Sequence, residues 1–399
     1  MATAPAAEAP AGVRKPIPFD TKHLDKLMDE AGIDVLVATS KHNVQYLLGG
    51  YRFFFFDTMD AIGVSRYQPA VVYQRGKPEN ATYVGCRMEK HELDNGKFWT
   101  PGVELSSFSP AVTMERAADH IKKIGGVRRV GVESDFLPAD GDAAFRRNLG
   151  NVDIVNAFLP LERLRARKTP HEIDYLRIAS DRVVESMKVA FAACQPGKTK
   201  LEITETLRRE EVNRGLVFDY CLITAGTSLN RAPSDQKLAA GDIMSIDSGG
   251  NYHGYIGDLC RMGIIGGKPD AEHVELLGWI EEVQQATRKP VKPGLRGGDI
   301  LAIAEKMLKA SPHKAYSDFM AHGMGLVSHE APRLMHMGPI PYPGYDADRP
   351  LEQGMVLSIE TTMQHPKRGF IKLEDTILVT DTGYEALGDG ARGWNKAGM

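Results

Sequence analysis

At 399 residues the chain is long enough for two domains and a sizeable core. Its formal net charge of -3 gives no basic field for nucleic acid, and no apolar run approaches the ~20 residues that span a bilayer. Four widely spaced cysteines, Cys86, Cys194, Cys221 and Cys260, form neither a zinc spacing nor a disulfide framework, which fits a reducing cytoplasm and a role as core residues.

Residues 1–19 are rich in Ala and Pro but lack a basic stretch ahead of an apolar core, so they read as a disordered tail rather than a signal peptide. Residues 20–160 alternate as an α/β domain. A helix is expected over 21–31, stopped by Gly32, then a buried strand over 33–38. Further strands are expected over 69–73, 82–85 and 129–132, with helices over 114–124 and 142–149. Within this domain Phe53, Phe54, Phe55 and Phe56 are consecutive. They read either as a strand buried on both faces or as an aromatic loop that packs on a partner or lines a substrate pocket.

Residues 158–171 are basic, contain two prolines and read as the linker into a second domain, 161–399, which opens with a long amphipathic helix over 172–193. A weak internal repeat follows: residues 195–203 resemble residues 292–300, each copy closing one helix and opening another. Two α/β halves related by a pseudo-two-fold would place a site between them.

Two hairpins carry the chemistry. The first turns at Asn251, Tyr252, His253 and Gly254, and folding about its middle sets Asp247 opposite Asp258. The second turns about Lys367 and sets Glu360 opposite Glu374. Facing carboxylates roughly 5 Å apart repel unless they are protonated or neutralised by cations. Solvated hairpin aspartates are the bland alternative for the first pair taken alone. A glycine-rich approach adds His322 and His329 as nitrogen donors. Four carboxylates with a neutral imidazole would balance two divalent ions, and oxygen-rich donors suit Mn²⁺, with Fe²⁺, Co²⁺ or Zn²⁺ as alternatives.

In this order and setting, Asp247, Asp258, His322, His329-Glu330, Glu360 and Glu374 resemble the pita-bread metallopeptidases, in their aminopeptidase P, prolidase and creatinase branch. The resemblance implies a creatinase-type α/β N-terminal domain and an α+β pita-bread catalytic domain with pseudo-two-fold symmetry. It implies that Asp247 binds the first of two metal ions, that Asp258 and Glu374 bridge both, and that His322 and Glu360 complete the second. It further implies that Glu360 takes the proton of the attacking water while His329 hydrogen-bonds the substrate carbonyl or its developing oxyanion.

Three features depart from the family pattern: Thr361-Thr362 follow Glu360 where Pro-Gly is common, and two single positions differ. Asn230 stands where many members have a histidine, and it cannot titrate. Lys372 stands where arginine is common, without the fork that grips a carboxylate. Both are expected to touch substrate, as are Phe54 and Phe55, which the resemblance places against the pocket of the partner in a homodimer. His336 and His365 are expected on the surface and His253 in a turn.

The expected activity is metal-dependent hydrolysis of an amide bond in a small peptide, of the Xaa-Pro aminopeptidase or dipeptidase type. The alternatives are a creatinase-like hydrolase, or a lyase, acting on a small C–N or other non-peptide substrate, and a non-catalytic binding protein on the same fold.

Overall fold

The computed structural model describes residues 15–58, 65–334 and 343–398, in two compact units, Met1–Arg165 and Ala166–Met399. His336 and most of the N-terminal tail lie outside the described residues.

The first unit runs α1 (Thr21–Glu30), β1 (Val35–Ala38), α2 (Lys41–Leu47), α3 (Phe54–Asp57), β2 (Ala70–Gln74), β3 (Lys77–Cys86), α4 (Lys90–Asp94), β4 (Gly102–Ser107), α5 (Pro110–Ile124), β5 (Arg129–Val132), α6 (Ala139–Leu149), β6 (Asp153–Asn156) and α7 (Phe158–Ala166). Its sheet has the order β4-β3-β2-β1-β5-β6. Strand β1 is apolar at all four positions because both faces are covered: Val35 and Val37 meet Met114, Ile121 and Phe145 of α5 and α6, whereas Leu36 meets Leu24 and Met28 of α1.

Three local expectations differ. Phe19, assigned to the tail, is buried edge-on against Tyr73 and Trp99. The phenylalanine run forms the short helix α3 rather than a strand, so Phe53 and Phe56 turn inward while Phe54 is 68% and Phe55 37% exposed. Residues 158–166 are helical rather than linker. Pro160 falls in the first turn of α7, where a missing N–H costs the helix nothing.

The second unit runs α8 (Pro170–Ala193), α9 (Lys200–Asn213), β7 (Val217–Ala225), β8 (Ile243–Tyr252), β9 (Tyr255–Ile265), α10 (Ala271–Arg288), α11 (Gly297–Ala310), β10 (Ser317–Gly323), β11 (Val356–His365), β12 (Gly369–Val379), β13 (Tyr384–Leu387) and β14 (Asn395–Ala397). The sheet order β10-β11-β12-β9-β8-β7 reads as two three-stranded halves meeting back to back at β12 and β9. Each half is preceded by a pair of helices, and the repeated segments join those pairs in the same way. Gly197 and Gly294 both adopt φ near 90°, and Thr199 and Arg296 each make an isolated antiparallel bridge, to Lys237 and Pro350.

The helices cover one face of this sheet. Val183, Met187, Phe191, Ile203 and Leu207 pack on Ile223, Ile246 and Leu259 of one half, and Val283, Ile300 and Leu308 pack on Phe319, Ile359 and Ile377 of the other. Because strand side chains alternate, apolar Ile246 and Ile359 on the helix face force their neighbours Asp247 and Glu360 onto the opposite face. His365 is buried at the end of β11 rather than exposed. Its Nδ1 accepts the backbone N–H groups of Lys367 and Arg368, which shapes the turn into β12.

Candidate metal centre

The second hairpin has the expected register, with Glu360 opposite Glu374. The first is offset by two residues: Asp247 faces Cys260, and Asp258 faces Gly249. The reason is the turn, which consists of only His253 and Gly254, at φ 53° and 90°, a two-residue type I′ geometry rather than a four-residue loop. The aspartates remain on one face as diagonal neighbours. Since Glu374 also pairs with Cys260, one transverse row across the sheet reads Glu360, Glu374, Cys260, Asp247.

His322 on β10 pairs with Ser358, two residues from Glu360, and so joins the same face. The potential ligand atoms of Asp247, Asp258 and Glu374 lie within 4.8 Å of one another, as do those of His322, His329 and Glu360. The rings of His322 and His329 stack with centroids 3.8 Å apart.

The hydrogen bonds leave room for a cation. His322 Nδ1 lies 3.1 Å from the Gly323 carbonyl and Nε2 2.9 Å from Glu360 Oε1; burial works to lower the imidazole pKa, but the hydrogen bond and charge of Glu360 outweigh it and raise it. Nε2 can take a cation in place of the proton it shares with Glu360. Asp258 Oδ2 accepts from Ser328 Oγ at 2.8 Å, but its buried Oδ1 accepts no hydrogen bond. Glu374 Oε1 accepts from Ser358 Oγ at 2.9 Å. These donors fit the divalent metal that the acidic pairs imply.

The electrostatics agree. Burial, reinforced by Asp247, pushes the Asp258 carboxyl up to about 6. Burial and the charges of Asp258 and Glu360 raise Glu374 well above the carboxylate range. Burial alone would also raise Glu360, but the Lys372 charge and the His322 hydrogen bond outweigh it and hold Glu360 ionised. His329 is pushed down to about 3 by burial and by His322 beside it, so it is a neutral imidazole near pH 7.

Residues 21–167 match the Creatinase/Prolidase N-terminal domain, and residues 174–381, more than half of the chain, match Metallopeptidase family M24. The chain belongs to metallopeptidase family M24. This M24 protein is 25% identical over 379 residues to an Xaa-Pro dipeptidase of Pyrococcus furiosus, covering 91% of the chain and 96% of the relative. An Xaa-Pro dipeptidase of Pyrococcus horikoshii is 24% identical over 382 residues, covering 92% and 95%. Among solved structures, an Xaa-Pro dipeptidase from Bacillus anthracis superposes with a TM-score of 0.77 at 21% identity, covering 94% of this chain and 98% of that one. An X-Pro aminopeptidase from Thermotoga maritima superposes with a TM-score of 0.74 at 17% identity, covering 95% and 99%. The M24 chain is thus a metal-dependent hydrolase with the creatinase-type and pita-bread domains, and no described helix is long and apolar enough to cross a membrane.

Asn230 is exposed and turned onto its own loop, where Oδ1 accepts from Ala232 N at 3.0 Å. Its neighbour Arg231 reaches the site instead, bonding Asp247 and stacking over Phe370. Lys372 lies among the carboxylates and also lines the cavity beside them. Two residues before Glu374 on the same strand face, it reaches Asp247 at 2.7 Å, Glu360 at 2.6 Å and Glu374 at 2.8 Å. Phe54 and Phe55 belong to the first unit, where Phe55 packs on Tyr67 with centroids 5.4 Å apart.

Other contributors carry little sequence signal. Tyr220 lies beside Asp258, and burial together with the charges of Asp258 and Asp247 raises its phenol. The ring fits only because residue 249 is glycine: a Cβ there would stand 2.3 Å from it. Behind the site, Asp375 faces the helices and binds Arg261 at 3.2 Å and Arg288 at 3.4 Å, together with Arg392. A fully buried ion pair, Lys168 to Glu330 at 2.8 Å, underlies the loop bearing His329. Beside the carboxylate row a cavity of about 250 Å³ is lined by Leu229, Arg231, Asp318, Phe370 and Lys372 among others.

Proposed function

We propose that this chain hydrolyses the amide bond of small Xaa-Pro peptides, as an aminopeptidase or dipeptidase. The observation that carries this reading is the single sheet face bearing Asp247, Asp258, Glu360 and Glu374 with His322 and His329. The relatives named as Xaa-Pro dipeptidases, aligned over nearly the whole chain, support it.

Asp247, Asp258, His322, Glu360 and Glu374 would hold divalent metal, Mn²⁺ being favoured by the oxygen-rich donor set. Bound there, the metal supplies Lewis acidity and lowers the pKa of water. Glu360, kept ionised by Lys372 and His322, accepts the proton of the attacking water. His329, being neutral, donates an N–H to the carbonyl oxygen as it becomes an oxyanion and does not act as a general acid. Arg231 and Phe370 wall the adjacent cavity, whose volume suits a dipeptide-sized ligand better than a folded protein.

The test is Mn²⁺-loaded protein on a panel of Xaa-Pro di- and tripeptides, with Asp258→Asn as control. Release of an amino acid by the wild type alone supports the reading; no release from any peptide refutes it. The exposed, non-titrating Asn230 favours a second reading, a non-peptide C–N substrate, so the panel includes creatine and other small amides.

The proposal extends to a homodimer in which a second copy covers Phe54 and Phe55, exposed beside Tyr67, and brings them to its own pocket. A monomer with full activity in light scattering at micromolar concentration refutes that. The four free, buried cysteines suit a reducing cytoplasm.

A further inference from the structure

We propose that Asp318 makes the cavity beside the metal centre selective for peptides that carry a basic side chain, Lys or Arg, close to the scissile bond. This rests on the hydrolase reading above and names the class of peptide that the site prefers.

The sheet sets Asp318 on the working face. Its strand neighbours Phe319 and Ala321 pack under the helices, so alternation turns Asp318, Met320 and His322 toward the face that bears Glu360. The register then fixes how far away it lies. Met320 pairs with Glu360, and Asp318 pairs with Thr362, two residues further along β11, a step of about 6.5 Å.

Asp318 is half-buried, and among the described residues it accepts no hydrogen bond and meets no ion-pair partner. Burial alone raises its carboxyl above the ordinary 3.8, with no positive charge at hand to oppose it. The cations that line the same cavity are engaged elsewhere: Arg231 bonds Asp247 and stacks over Phe370, and Lys372 bonds Glu360 at 2.6 Å. Asp318 is therefore the charge in the cavity wall that waits for a partner, and the ligand has to bring it.

The rest of the wall selects the kind of cation. Leu229, Met320 and Phe370 give the cavity, about 250 Å³, an apolar side. A basic side chain matches both features, its methylene stem lying on the apolar wall and its charged end reaching the carboxylate. The α-ammonium of an Xaa-Pro peptide does not match, because it is held two bonds from the scissile carbonyl carbon. With that carbonyl at Glu360, the four-carbon stem of lysine covers the step of about 6.5 Å to Asp318. A glutamate side chain in the same place is repelled.

The experiment compares peptides that differ only in charge. Full-length, Mn²⁺-loaded protein is assayed on Lys-Pro against norleucine-Pro and on Ala-Pro-Lys against Ala-Pro-norleucine, with Glu-Pro as the reversed charge. Wild type is expected to favour lysine in one pair by at least about tenfold in kcat/KM, expressed mainly in KM, and that pair locates the basic residue relative to the bond. Asp318→Asn, nearly isosteric at a side chain that holds nothing in place, should bring the ratio within about twofold. Asp318→Arg should turn the preference toward Glu-Pro. A wild-type ratio near one, or a lysine preference that survives Asp318→Asn, overturns the inference, while cleavage of the norleucine peptides keeps the hydrolase reading intact. If no peptide is cleaved, the hydrolase reading fails, and calorimetric binding of the same pairs decides the selectivity. Equal affinities overturn it, and tighter lysine binding that Asp318→Asn abolishes upholds it.

Discussion

Glu211, near the end of α9, gives the sharpest test of the electrostatics behind the sheet. The residue is fully buried; Oε1 accepts from Ser248 Oγ at 2.9 Å, while Oε2 has no hydrogen-bond partner. Burial pushes its carboxyl up from 4.5 to about 8. Between those values the folded chain holds a proton that the unfolded chain has lost, so stability falls as pH rises, by ~1.4 kcal/mol per pH unit. The penalty is absent below about pH 4.5 and reaches roughly 4–5 kcal/mol near pH 8.5. Glu211→Gln keeps the shape and removes the titration. In urea unfolding of the metal-free protein, the variant should match the wild type to within about 1 kcal/mol at pH 5 and exceed it by a few kcal/mol at pH 8.5. A difference between the two proteins that does not change with pH refutes the reasoning.

Asp375→Asn removes the carboxylate that Arg261, Arg288 and Arg392 share, and should cost ~3–5 kcal/mol at pH 7 in the same assay. Although burial opposes ionisation, those arginines hold the Asp375 pKa below its ordinary value of 3.8. Its contribution is therefore complete above that ordinary value and lost as pH falls through the lowered one, so variant and wild type should converge only in acid. Gly249→Ala puts a Cβ 2.3 Å from the Tyr220 ring and should cost ~1–3 kcal/mol. Because the displaced ring lies beside Asp258, metal retention after desalting should also fall, and unchanged retention would detach Tyr220 from the site.

The candidate ligands were legible because β-strand alternation is unforgiving. A carboxylate beside Ile246 or Ile359 can only face away from the helices, and the turn centred on Lys367 then fixed Glu360 against Glu374. The first hairpin was less legible. Asn251 looks like a turn residue, yet it remains in β8 and donates to Asp219 at 2.9 Å. The turn shrinks to two residues, and Cys260 rather than Asp258 comes opposite Asp247. Arg231 and Tyr220 were missed because their roles depend on long-range packing: one reaches across to Asp247, the other fills a gap left by a missing Cβ. Lys372 was legible as a departure from the family pattern. Its placement among three carboxylates needed the pairing of β11, β12 and β9, which no local stretch encodes. The helix α7 was hidden by prolines whose position within the turn, rather than their presence, decides the outcome.

The pairing of Glu374 with Cys260 is the seam between the two halves of the sheet. Each hairpin can form from contacts close in sequence, but this seam must bring together strands separated by an entire half of the unit, with the loop-closure entropy that entails. The donor set is therefore incomplete until late in folding. Metal added during refolding should leave the folding rate nearly unchanged and slow unfolding instead, acting as a latch on a finished sheet rather than a template for it.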